Sequence, residues 1–247
     1  MVLQNMARKK LNRAPLSRQV ADNLAETIQN GQFDPGDTLP SEIQLAAEYG
    51  VSRPVIREAL KTLEGEGLIA IAVGKQATVK PISSDILHSF FERAMAFDRA
   101  SIRDLIEIRI GLEIQSASLA ARRHTVDELQ AMQASVKIMR QHLQNLDAYA
   151  EHDANLHLLI ARASHNRMIY FLLESIRDSV TTTIREGLHK RASVAEYEQI
   201  QKRHEQLIEV IASRDEQQAQ ETMRLHFDDA LQAFRFPEDP TSQSESA

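Results

Sequence analysis

The stretch from Ser41 to Leu63 constrains this chain more than any other. Ser41, with Gln44 three residues on, is a capping-box pattern that starts a helix, and Gly50 ends that helix after about two turns. Leu45, Ala46 and Tyr49 form its inward stripe. Ser52 then caps a further helix. On it Val55, Ile56, Ala59, Leu60 and Leu63 gather on one side, while Arg53, Arg57 and Lys61 recur every four residues on another. A short helix, a glycine turn and a second helix with apolar residues inward and cations outward make a helix-turn-helix.

The flanking sequence completes a small domain over residues 15–80. Leu16, Val20, Leu24 and Ile28 repeat at helical spacing and stop at Gly31, giving a first helix before the turn-rich loop FDPGDTLP. After Gly67, LIAIAV and QATVK are two β-rich runs folded at Gly74 and Lys75, a hairpin or wing. Residues 1–14 read as a flexible basic arm whose Lys9, Lys10 and Arg13 are either solvated in a disordered arm or in contact with phosphates.

The net charge of −6 taken alone argues against nucleic acid, but it is unevenly spread. Residues 1–80 hold ten Lys and Arg against nine Asp and Glu, and the remainder holds nineteen against twenty-six. A mildly basic first part binds phosphates if its cations share a face. The chain of 247 residues is 43% hydrophobic, enough for two domains with cores, and its 5% aromatic content with no Trp favours helices. The absence of Cys excludes disulfides and thiolate metal sites. The start MVLQNMARKKLNRAPL lacks the apolar core of a signal peptide, and no apolar run is long enough to span a bilayer, so a cytoplasmic protein without membrane contact is expected.

Residues 81–236 read as an antiparallel all-helical bundle of six or seven helices, with boundaries near Ser101, Thr125, Asn145, Asn166, Ser193 and Arg214 and a capping-box start at Ser101 and Asp104. Residues 237–247 form a polar, disordered tail. The bundle is informative where polar residues point inward. At 100° per residue His204 lies among Ile200, Leu207, Ile208 and Ile211, and His226 among Ala219, Met223, Ala230 and Ala233. Asp153 and His157, one turn apart, share a face with Leu146, Ala150 and Ile160. One Asp and three His from three helices are a plausible ligand set for a divalent ion with positions left open. Arg109 lies inward among Ile102, Leu105, Ile106, Leu112 and Ser116, where a guanidinium demands an anion, either Glu113 one turn away or a bound carboxylate. His88, His124, His142, His152, His165 and His189 complete no equivalent set and read as surface or helix-end residues.

LPSEIQLAAEYGVSRPVIREALKTLEGEGLI closely resembles the winged-helix domain of the GntR family of bacterial transcription regulators. The resemblance implies that Arg53 and Arg57 contact operator DNA in the major groove, that the wing tip at Gly74 and Lys75 reaches the minor groove, and that Ser41, Ser52 and Lys61 belong to the same DNA-facing set. Two positions depart from the family pattern: Ile43 stands where a DNA-contacting arginine is frequent, and Gln76 replaces a frequent wing glycine. DANLHLLIARASHN and RHEQLIEVIASRDEQQAQETMRLHF resemble the FCD-type effector domain of the FadR branch. That resemblance implies that Asp153, His157, His204 and His226 bind a metal, zinc foremost, with nickel and manganese open. It also implies that Arg109, together with Asn166 of the motif SHN, binds the effector, although a helix N-cap explains Asn166 at least as well.

The expected function is a homodimeric, sequence-specific repressor. Its hold on a palindromic double-stranded operator would be controlled by a small carboxylate, such as a sugar acid or hydroxy acid, bound at the metal site. Two other readings were open. The Asp/His set could activate water in a hydrolase, although no second carboxylate offers itself as general base, or the metal could be purely structural in a ligand-insensitive DNA-binding dimer.

Overall fold

The computed structural model describes residues 14–97, 101–191 and 194–234, with Ser101, Val194 and Ala233 described through their backbone only. The basic arm at Lys9, Lys10 and Arg13, the boundary at Ser193, the tail, and the side chains of Ser101 and Ala233 lie outside the described residues. The described residues divide into two compact units, the change falling between Ile86 and Leu87. An ion pair of 2.9 Å between Lys80 and Asp85 ties the chain beyond residue 80 to the first unit.

In the first unit α1 (Leu16–Gln29), α2 (Glu42–Tyr49) and α3 (Arg53–Gly65) enclose a core of Val20, Leu24, Leu45, Ile56, Ala59 and Leu63, closed by Leu39, Ile69 and Val79. Leu16, expected on the inward stripe of α1, is exposed because it is the first residue of the helix. The Ser41–Gln44 capping box forms in full, and Gly50 adopts the left-handed conformation (φ 62°) that stops α2. Ser52 occupies the N-cap of α3 with an extended backbone but makes no side-chain cap bond, and Pro54 at the start of α3 removes one N–H that would otherwise need a partner. The wing is the antiparallel pair β1 (Ile69–Ala70) and β2 (Thr78–Val79), with Ile69 opposite Val79. Gly74 (φ 73°) and the bond from Lys75 N–H to the Ala72 carbonyl shape its tip.

From the end of the first unit onward, the described residues form eight helices: α4 (Asp85–Phe97), α5 (Ser101–Arg123), α6 (Val126–Gln141), α7 (Leu146–Ala163), α8 (Arg167–Ser175), α9 (Arg177–His189), α10 (Val194–Ala212) and α11 (Glu216–Phe234). The count exceeds six or seven because the segment after Asn166 breaks at Ile176, which is both C-cap of α8 and N-cap of α9. No glycine or proline marks that break, and Ile176 is 2% exposed, so packing imposes it. Thr125 with Glu128 caps α6, and Asn145 caps α7. The helices pack around one core of Ile106, Met132, Leu156, Ile160, Leu207, Ile211, Met223 and Phe227 and a second cluster of Leu105, Leu119, Ile169, Leu173, Ile176 and Val180. No described helix is long and apolar enough to cross a membrane.

Candidate functional site

The first unit carries a groove lined by Ser41, Glu42, Ile43, Arg53, Arg57, Lys61, Gly74, Lys75 and Gln76, among others. Six of the seven expected DNA-facing residues therefore meet on one face of α2, α3 and the wing tip. Ser52 does not: it is exposed but lies outside the groove, where its backbone role at the α3 N-cap accounts for it. Ser41 spends its hydroxyl on the capping box, donating to Gln44 Oε1 at 2.7 Å, which leaves its lone pairs for the Gln44 N–H and for a ligand.

Glu42 was not anticipated. Its carboxylate accepts from Arg57 Nε at 2.9 and 3.0 Å and from Arg53 Nη2 at 3.4 Å, bridging the two arginines that face the groove. The bond from Arg57 holds the Glu42 carboxyl below its usual range. Exposed pairs of this kind contribute about 0–1 kcal/mol, so they orient the guanidiniums without locking them away from a competing phosphate or base.

In the second unit α7, α10 and α11 bring Asp153, His157, His204 and His226 together in the core. Asp153 Oδ1 lies 3.1 Å from His157 Nε2 and 3.4 Å from His204 Nε2, and ligand atoms of the three imidazoles all fall within 4.8 Å of one another. Asp153 Oδ1, His157 Nε2 and His204 Nε2 are buried, converge, and have no hydrogen-bond partner. Buried polar atoms without partners are costly, and spacings near 3 Å are those of neighbouring ligands around one ion with bonds of about 2.0–2.2 Å. The residues fit a divalent metal.

The electrostatics favour a positive charge among these residues, supplied by an ion or by a proton on His157. Burial opposes ionisation of Asp153, but His204 and then His157 outweigh it and hold its carboxyl well below the usual range. Burial first, and the charges of His204 and His157 next, push His226 well below the usual imidazole value, leaving it neutral with a free lone pair. His157 is raised to about 9, because Glu113 and Asp153 overcome its burial. Two carboxylates flanking one imidazole mark a place where positive charge is favoured.

Around these residues stands a layer that the sequence only partly revealed. Glu113 Oε2 contacts His157 Nδ1, and Tyr149 Oη lies 3.3 Å from His204 Nδ1 and donates to Gln201 Oε1 at 3.1 Å. Partners on the far nitrogen fix which nitrogen faces the ion. Glu113 is thus the second carboxylate that the sequence reading did not find at the site. It accepts from Arg109 Nε at 2.7 Å and does not line the cavity described next, so it orients an imidazole and is not placed to act as a base.

A cavity opens onto Asp153 and His226 and is lined also by Arg109, Thr183, Arg191 and a wall of apolar residues. Arg109 is 4% exposed, paired with Glu113, and lies 5.1 Å over the Phe227 ring. The ion-pair role expected of it is present, and its side chain also borders the cavity. Asn166 does not line the cavity. Its side-chain oxygen accepts from Met168 N–H and Ile169 N–H as the N-cap of α8, which is a sufficient reason for an asparagine there. His124 is a helix-end residue as expected, though buried, with Nδ1 2.8 Å from the Ala120 carbonyl.

A winged helix-turn-helix followed by a helical bundle with a buried carboxylate–imidazole cluster defines a DNA-binding regulator with an effector-binding domain. The chain belongs to the gntR family of bacterial regulatory proteins, whose description matches residues 16–79, and carries an FCD domain over residues 104–229. It is a DNA-binding transcriptional regulator. It is 29% identical over 204 residues to the HTH-type transcriptional regulator LutR of Bacillus subtilis, covering 81% of this chain and 92% of that one. It is 29% identical over 231 residues to the Glc operon transcriptional activator of Escherichia coli K12, covering 88% of each. The repressor NanR of Cronobacter sakazakii is 26% identical over 242 residues, 94% of this chain and 90% of that one. The solved structure of a Streptococcus agalactiae GntR protein shares the fold, with a TM-score of 0.70 at 23% identity over 88% of this chain and 99% of that chain.

Proposed function

We propose that this regulator binds a palindromic operator as a homodimer in the cytoplasm and that a small carboxylate, held in the bundle against a divalent ion, controls that binding. Arg53 and Arg57 would meet base edges in the major groove, with Lys61 and Lys75 on phosphates. Asp153, His157, His204 and His226 would hold the ion, zinc first among the candidates, and when bound it supplies a Lewis-acidic anchor for a carboxylate oxygen. The remaining work belongs to the chain: Glu113 and Tyr149 orient the imidazoles, and Arg109 brings a guanidinium to the cavity wall. An activator and repressors stand among the relatives, so the family accommodates either sign of output.

The convergence of buried, unpartnered Asp153 Oδ1, His157 Nε2 and His204 Nε2 carries this reading. Elemental analysis of the purified protein tests it. One divalent ion per subunit is expected, together with calorimetric binding of a carboxylic acid that disappears when the ion is stripped. Metal-free protein binding the acid equally well would refute it.

A further inference from the structure

The cavity wall says what the body of the effector is made of, an inference that rests on the metal-anchored carboxylate reading above. Away from Asp153 and His226 the cavity is bounded by Ile106, Ile184, Leu188, Ile200, Phe227 and Phe234. Gly187 contributes no side chain, and a Cβ there would stand 3.1 Å from Phe234 Cε2, so the glycine lets that ring lie against α9.

The few polar groups in this wall are mostly committed within the protein. Thr183 donates its hydroxyl hydrogen to the Ser179 carbonyl at 2.9 Å. Arg191 donates to the Asp229 carbonyl at 2.8 Å, and the Asp229 carboxylate accepts from Arg203 at 3.2 Å. Arg109 is paired with Glu113. What remains for a ligand are N–H groups of two guanidiniums, which suit one anion, and acceptor lone pairs on the Thr183 hydroxyl and the Asp229 carboxylate, a few polar positions in a wall otherwise made of Ile, Leu and Phe. A polyhydroxylated ligand would bury several hydroxyls against Ile, Leu and Phe without partners, each at a cost, whereas an apolar body gains from the same contact.

We infer that the effector is a monocarboxylic acid with an apolar body, aliphatic or aromatic, and not a sugar acid. The carboxylate reaches the Asp153/His226 end, and the hydrocarbon fills the space between Ile184, Leu188, Ile200 and Phe227.

A matched pair of acids tests this: cyclohexanecarboxylate and quinate share a ring and a carboxylate, and quinate adds four hydroxyls. Calorimetry on the full-length, zinc-loaded protein should show cyclohexanecarboxylate binding at least about 100-fold more tightly, since even one added hydroxyl shifts affinity measurably in an apolar site. In Ile184→Ser, whose zinc content is checked alongside, that ratio should fall at least about tenfold. Quinate or lactate binding as tightly as cyclohexanecarboxylate, with both lost on zinc removal, would overturn the apolar-body inference and leave the metal-anchored reading standing. Failure of all three acids to bind loaded protein would overturn both. An unchanged ratio in a folded, zinc-bearing Ile184→Ser would show that this wall does not select the ligand.

Discussion

Glu42 places one carboxylate against the two arginines that line the groove, and the consequence is specific to that residue. Glu42→Gln should raise affinity for random duplex by removing a negative charge from the groove, and should narrow the gap between operator and random sequence by freeing the two guanidiniums. Fluorescence titrations with operator and scrambled duplex check both numbers. An unchanged specificity ratio would show that Glu42 positions nothing. Arg57→Ala should cost operator binding roughly 1–3 kcal/mol. In the bundle, His204→Ala should release the metal on elemental analysis, because a buried set missing one donor cannot keep its geometry. The histidines were legible in the sequence because each interrupts an apolar stripe on its own helix, as His204 does between Ile200 and Ile208. Glu113 was legible as the partner of Arg109 at i and i+4. Its contact with His157 depends on how α5 meets α7, which no local spacing encodes.

At the scale of elements, capping chemistry made many boundaries readable: Ser41 caps as expected, and Thr125, Asn145 and Asn166, read as boundaries, prove to be caps, while Ser52 makes no side-chain cap bond. Ile176 carries no such signal, so the α8/α9 break escaped. The α10–α11 turn was legible at Arg214-Asp215, but not the reason Arg214 is an arginine. Its backbone has φ 63°, a conformation glycine adopts more easily, while its guanidinium donates to the carbonyls of Arg122 at 3.1 Å and His124 at 3.0 Å at the end of α5. Arg214→Gly should therefore destabilise the protein by about 1 kcal/mol even though it relieves the backbone, because charge-assisted bonds to helix-end carbonyls are lost. Denaturant unfolding measures it, and a stabilised variant would show that the backbone dominates. In the wing, Lys75→Ala should weaken operator and random DNA alike and lower the salt slope by about 1.

Across the whole molecule, the charge asymmetry read from composition corresponds to two tasks, a cationic groove in the first unit and an acidic surplus in the remainder. In the proposed reading, an effector in the second unit changes DNA binding only if it prefers one state of the proposed dimer, since a ligand with equal affinity for both shifts nothing. The chain passes from one unit to the other within α4, after Pro81-Ile82-Ser83, which makes this helix the covalent link between the units and, in the proposed reading, the route for that preference. The most direct test of the account is anisotropy of labelled operator titrated with the tightest-binding carboxylic acid, on zinc-loaded wild type and on His226→Ala. The account predicts an acid-dependent change in operator affinity for the loaded wild type, and for His226→Ala an operator affinity equal to that of acid-free wild type that no acid alters. An equal acid response in both proteins would contradict it.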